Sequence, residues 1–152
     1  MDAAIFVMSW FLEEAPFSTI NPLTGAQRTA LYRADVNLDH EFDERDTLAG
    51  KNLYCLVSPV SFSCGNLVPC VFKSSGMVTL IGDTTGGGSC IVLPMSSAWG
   101  TLFQISGPNR ISFVKNGSYY DADRGVDPDV FLTKTETFCD REKLTEFINS
   151  LR

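Results

Sequence analysis

Ser63, Cys64 and Gly65 stand together in the stretch VSPVSFSCGNLVP, between the apolar run NLYCLVSP and the segment CGNLVPCVFKSSG. The run reads as a buried strand and the segment as a short helix ended by Gly76, so the serine falls on a strand-to-helix turn. A hydroxyl placed there is exposed beside the free N–H groups of the first helical turn. Those groups can hold the negative oxygen of a tetrahedral intermediate, each donor contributing about 3 kcal/mol. Acyl transfer is the chemistry that this suits. Ser is also among the best N-cap residues, so the same stretch equally describes a helix start with no catalytic role. Cys64 is a rival nucleophile, but a helix N-terminus alone would have to lower its pKa.

A second chemistry is written in DVNLDHEFDERD, Asp35 to Asp46. Asp35, Asn37 and Asp39 match positions 1, 3 and 5 of a calcium loop, and Glu41 stands at 7, where the backbone carbonyl ligates. Asp43 at 9 could reach the ion through water, and Asp46 closes the loop at 12. Alternating oxygens suit a hard cation that wants about six to eight of them, and the pattern resembles EF-hand and dockerin loops. His40 stands where Gly is expected and Asp46 is shorter than the usual Glu, so a solvated acidic loop is the competing reading. Calcium here would be a structural clip.

The elements that must position these residues follow from pattern. MVTLIG reads as a second buried strand, which with the first strand and the helix makes a βαβ unit of a parallel sheet. TTGGGSC follows it. The P-loop pattern is missing, so Gly86, Gly87 and Gly88 read as a backbone loop lining a peptide groove. IVLP, TLFQIS, ISFV and SYY read as short strands separated by Gly, Pro and Asn turns. DREKLTEFINSLR is an amphipathic helix capped by Asp140, with Leu144, Phe147, Ile148 and Leu151 on a core-facing stripe. AIFVMSWFL reads as a buried helix capped by Asp2, apolar all round and so needing cover on several sides, and PFSTINPLTGAQ as a turn-rich connection. The fold class is α/β, with residues 1–152 as a single domain.

Composition removes several functions. With 44% hydrophobic and 11% aromatic residues in 152, the chain can fill a core. A net charge of -6, with Lys and Arg scattered singly, leaves no electrostatic footprint for nucleic acid. Ala4 to Leu12 is too short to cross a bilayer and lacks the flanks of a signal peptide. Cys55, Cys64, Cys70, Cys90 and Cys139 are odd in number and contain no CxxC, which argues against zinc and for buried hydrophobes.

Taken in order, SPVSFSCGN, VTLIGDTTGGGSC and RGVDPDV resemble the catalytic core of the S41 peptidases, the tail-specific or C-terminal processing proteases. The likeness runs over Leu53 to Val130. It implies a ClpP/crotonase-like β/α spiral, in this chain a partial domain with additional short strands. It also implies Ser63 as the nucleophile, the Cys64 N–H as an oxyanion donor, a peptide or protein substrate and no cofactor for catalysis. The departures from the family pattern are specific. The lysine of the Ser-Lys branch would stand at Gly88. In the tricorn-like branch the acid position falls on Ala122, flanked by Asp121 and Asp123, which become the acid candidates. His40 is the only histidine, and the family segment Leu-Asp-Leu-Arg-x-Asn-x-Gly-Gly, source of the second oxyanion N–H, is absent. The chain is therefore expected to be the C-terminal part of a longer protease, partnered by a missing N-terminal part that carries the base, and inactive alone. The alternative is a non-catalytic peptide-binding or calcium-stabilised scaffold. Bacterial S41 proteases are commonly exported or membrane-anchored, which makes an extracytoplasmic location the expectation.

Overall fold

In the computed structural model, which describes residues 2–151, one helix joins two sheets. β3 (Leu53–Val57) and β4 (Val78–Gly82) run parallel, with Leu53 opposite Val78 and Val57 opposite Gly82. α2 (Cys64–Ser75) makes the crossover between them, as the βαβ reading requires, and ends on Gly76 in the left-handed conformation, φ 66°. β8 (Val130–Phe131) adds in parallel to the other side of β4. Leu80 and Ile81 are wholly buried, which fits the central strand of a parallel sheet covered on both faces.

The other sheet is antiparallel. Its order is β2 (Gln27–Tyr32), β1 (Ala15–Ile20), β6 (Leu102–Lys115), β5 (Cys90–Ser96), with β7 (Ser118–Asp121) also on β6. α2 packs against β1 and β6 as well as β4, so it lies between the two sheets. Leu67, Cys70 and Val71 of this helix meet Met8, Leu12, Val57, Leu80 and Val126 in one core. All five cysteines are free. Burial, with a smaller effect from the Asp121 charge, pushes the Cys70 thiol up to about 12, so it packs as a hydrophobe; Cys64 and Cys139 are exposed instead.

Four readings of the sequence are corrected here. PFSTI is a strand. Its Pro16 is tolerated because the ladder from β1 to β6 covers only Ser18 to Ile20, so no hydrogen bond is lost at the proline. TLFQIS and ISFV form one strand, because Gly107 and Pro108 lie opposite an irregularity between Cys90 and Val92. A Cβ at Gly107 would stand 2.5 Å from the Ile91 carbonyl oxygen, so this Gly-Pro pair forms a bulge and not a turn. α1 (Asp2–Phe11) is buried on one side only, through Ile5 and Met8, while Phe6, Val7 and Trp10 are exposed. The expected cap by Asp2 concerns a side chain outside the described residues. α4 (Arg141–Ser150) packs on α3 (Thr135–Phe138) and not on the core, leaving Leu144, Phe147 and Ile148 half-buried and Leu151 exposed. Asp140 does cap α4, accepting from the N–H groups of Glu142 and Lys143, which hold its carboxyl below the usual range. Among the described residues no helix is long and apolar enough to cross a membrane.

Candidate active site

Ser63 directly precedes α2 with φ 55° and ψ -119°. A residue with a Cβ avoids that region, at a cost of about 1–3 kcal/mol, unless its surroundings leave no alternative. Here they leave none. The Ser63 N–H donates to the Gly87 carbonyl at 2.8 Å, the Gly86 N–H donates to Ser61 at 3.0 Å, and Phe62 and Gly87 form a parallel bridge. The pairing of β3 with β4 thus continues past both strand ends into the serine turn and the glycine loop. At the helix side, the Asn66 N–H donates to the Ser63 carbonyl at 2.9 Å.

The hydroxyl is left free by this arrangement. Ser63 is exposed and makes no side-chain cap hydrogen bond, so the N-cap role that its residue type suggests is not the one it plays. The Gly65 N–H is taken by Phe62, whereas the Cys64 N–H finds no acceptor among the described residues. One helical N–H is therefore available beside an exposed hydroxyl.

The glycine loop owes its path to close backbone approaches. Gly87 has φ 76°, and a Cβ there would lie 2.1 Å from the Asp123 carbonyl oxygen. At Gly88 a Cβ would come within 2.6 Å of the Phe62 ring, so no side chain, lysine included, fits while Phe62 holds its place.

The two acid candidates reach this loop but not the serine. The Ser89 hydroxyl donates to Asp121 at 2.7 Å, the Ser89 N–H to the Asp123 carboxylate at 3.2 Å, and the Gly88 N–H to the Asp123 carbonyl at 3.1 Å. Arg110 then pairs with Asp121 at 3.0 Å and with Asp123 at 3.3 Å. Among the described residues, no hydrogen bond joins the Ser63 hydroxyl to Asp121, Asp123 or His40. Lys73, on the same helix, is engaged by Asp129 and the Asp127 carbonyl. Ala122 is buried, and its carbonyl accepts a bond from the Asn66 side chain. Sequence reasoning missed Asn66, Thr85, Ser89 and Arg110. The available signal was an asparagine on the apolar face of α2, one turn before Cys70.

The acidic loop has its own logic. Asp35 accepts from the N–H groups of Asp39 and His40, Asn37 from Asp39, and Asp39 from Glu41. His40 takes the left-handed conformation, φ 67°, that a glycine would take at this position. Arg45 lies 2.8 Å from Asp39, 2.7 Å from Asp43 and 3.7 Å from Glu41. Asp46 accepts from the N–H group of Asp43 and from those of Val36 and Asn37, which together hold its carboxyl below the usual range. A hydrogen bond to Arg45 likewise lowers Asp43. A guanidinium thus sits among the carboxylates, and both oxygens of Asp46 accept from backbone N–H groups. Among the described residues no three His, Cys, Asp or Glu side chains stand as a group able to hold a metal.

The sequence profile of peptidase family S41 matches residues 1–132. The chain belongs to peptidase family S41. A Chlamydia pneumoniae protein, CPj1016/CpB1054, is 28% identical over 113 residues, covering 67% of this S41 chain and 16% of that protein. The photosystem II D1 C-terminal processing protease superposes with a TM-score of 0.67 at 21% identity, over 95% of this chain and 34% of its own. Mature CPAF complexed with lactacystin superposes at 0.51 and 18% identity, over 72% of this chain and 21% of its own. These superpositions show a shared α/β fold, that of a partial S41 peptidase domain. The chain spans from 16% to 34% of the lengths of these relatives.

If Ser63 is strained as its backbone implies, Ser63→Gly stabilises the chain. The relief of strain outweighs the added freedom of the unfolded state, leaving a net gain of about 1 kcal/mol in urea unfolding. A loss of stability would show that the turn is unstrained.

Proposed function

We propose that this chain is the nucleophile-bearing part of an S41 serine peptidase. The Ser63 oxygen adds to a peptide carbonyl, the amine leaves with a proton, and water then releases the acyl group from Ser63. The observation that carries this reading is the strained, exposed Ser63 with no cap hydrogen bond, beside the unclaimed Cys64 N–H. That N–H is suited to stabilise the oxyanion. An extended substrate would lie along the loop of Gly86, Gly87 and Gly88, and the fold completing the site would be the ClpP/crotonase-like spiral.

The proton of the hydroxyl must go to a base, and no His or Lys side chain forms a hydrogen bond with Ser63 among the described residues. We assign the base and the second oxyanion donor to other parts of a longer protein. Asp121 and Asp123 serve here by holding the glycine loop through Ser89 and Arg110, and not as partners of a base. An exported or membrane-anchored setting is the proposal that goes with the family.

One observation favours a second reading, a peptide-binding scaffold without catalysis: Ala122 fills the place where the tricorn-like branch has its acid. Hydrolysis of a fluorogenic peptide library separates the two. The chain alone should show no turnover, and the full-length protein should show turnover that Ser63→Ala abolishes. Binding without turnover in the full-length protein would favour the scaffold, and Ser63-dependent turnover by the chain alone would contradict the assignment of the base.

For the acidic loop we propose a clip closed by Arg45 without a metal. Calorimetric titration with calcium to about 1 mM, the range of weak extracellular sites, should give no binding heat. A saturable signal that Asp39→Ala removes would restore the calcium reading.

A further inference from the structure

Directly behind the serine turn lies a buried polar cluster without charge. Asn66 is 0% exposed and Thr85 4%. The Asn66 side-chain nitrogen donates to the Ala122 carbonyl at 3.0 Å, and its oxygen accepts from the Thr85 hydroxyl at 2.5 Å. The same hydroxyl accepts from the Val126 N–H at 2.7 Å, while the Thr85 N–H donates to the Val126 carbonyl at 3.1 Å. Every proton direction is fixed: a carbonyl can only accept and a backbone N–H can only donate, so the one hydroxyl proton of Thr85 must point to Asn66.

The cluster ties together three segments, 63–66, 84–88 and 122–126, and these are the segments that hold Ser63. Gly87 receives the Ser63 N–H, the Gly88 N–H reaches Asp123, and Asn66 itself donates its N–H to the Ser63 carbonyl. A Cβ at Gly125 would lie 2.1 Å from the Thr85 carbonyl oxygen, so the second and third segments touch backbone to backbone. An apolar side chain could fill the same space without the desolvation cost of an amide and a hydroxyl. It could not fix the spacing and direction of three backbones. A strained residue keeps its conformation only when its surroundings over-determine it.

We infer that Asn66 is a positioning residue that, through Thr85, keeps Ser63 in its left-handed conformation. Its consequence for catalysis rests on the reading of Ser63 as nucleophile, but the mechanical link does not. Breaking the link lets the turn relax, and the strain is then no longer there to be relieved.

The test is a double-mutant cycle of Ser63→Gly with Thr85→Val, read by urea unfolding of the chain. With Thr85 present, Ser63→Gly should raise the folding equilibrium constant about fivefold. With Val at 85 the gain should fall below about twofold, and Thr85→Ser, which keeps the hydroxyl, should restore it. Equal gains in all backgrounds would mean that Thr85 supports the fold without acting on Ser63, and would overturn the inference.

Should Thr85→Val not fold, amide exchange in the unaltered chain decides. The Ser63, Asn66 and Val126 amides should open together with protection factors within about tenfold of one another. Wider separation would overturn the link. Coupling without any Ser63-dependent hydrolysis in the full-length protein would keep the positioning role and remove the nucleophile. Additivity alongside Ser63-dependent hydrolysis would do the reverse.

Discussion

The hydrogen bond from the Ser63 N–H to the Gly87 carbonyl joins the two segments of the candidate site. On one side is the turn that leads from β3 into α2, and on the other the loop that leaves β4. Two parallel strands end side by side, and their continuing segments stay paired for a few residues more. Glycines permit the close approach on both sides of the loop: a Cβ at Gly86 would lie 2.2 Å from the Pro59 carbonyl oxygen, and one at Gly87 2.1 Å from that of Asp123. Without that pairing Ser63 would have no reason to hold a conformation that costs energy, and its hydroxyl would be free to cap the helix.

The chemistry that follows is partial. An exposed hydroxyl and an unclaimed helical N–H are present, and both come from residues adjacent in sequence. Among the described residues no His or Lys side chain forms a hydrogen bond with Ser63. Membership of the S41 family and the small share of the relatives' lengths that this chain spans agree with a site built from more than one part of a protein. The core holds the serine turn in place. α2 is packed by both sheets, so the segment after Ser63 is fixed independently of whatever else approaches it.

The βαβ unit was legible in the sequence because apolar runs of strand length flank a segment with a glycine stop, and each of those signals is local. The serine's place on the turn followed from them. Pro16 and the Gly107–Pro108 pair misled because their usual meaning is a turn, and only the register of neighbouring strands shows that they sit where no ladder bond is needed. The apolar stripe of α4 was real as a pattern, but periodicity does not say what it packs on. Asp121 and Asp123 stood near the acid position by spacing. Their actual partners, Ser89 just before β5 and Arg110 in β6, are distant in sequence and could not be read from the local run. The acidic loop shows the same limit, since nothing in its spacing tells that Arg45 pairs with Asp39 and Asp43.

The most direct test is mass-mapped labelling with a fluorophosphonate probe, applied to the full-length protein, to its Ser63→Ala variant and to this chain alone. The account predicts one adduct, on Ser63 of the full-length protein, absent from the variant and from the isolated chain. No adduct in the full-length protein, or an adduct on Cys64 or another residue in place of Ser63, would contradict it.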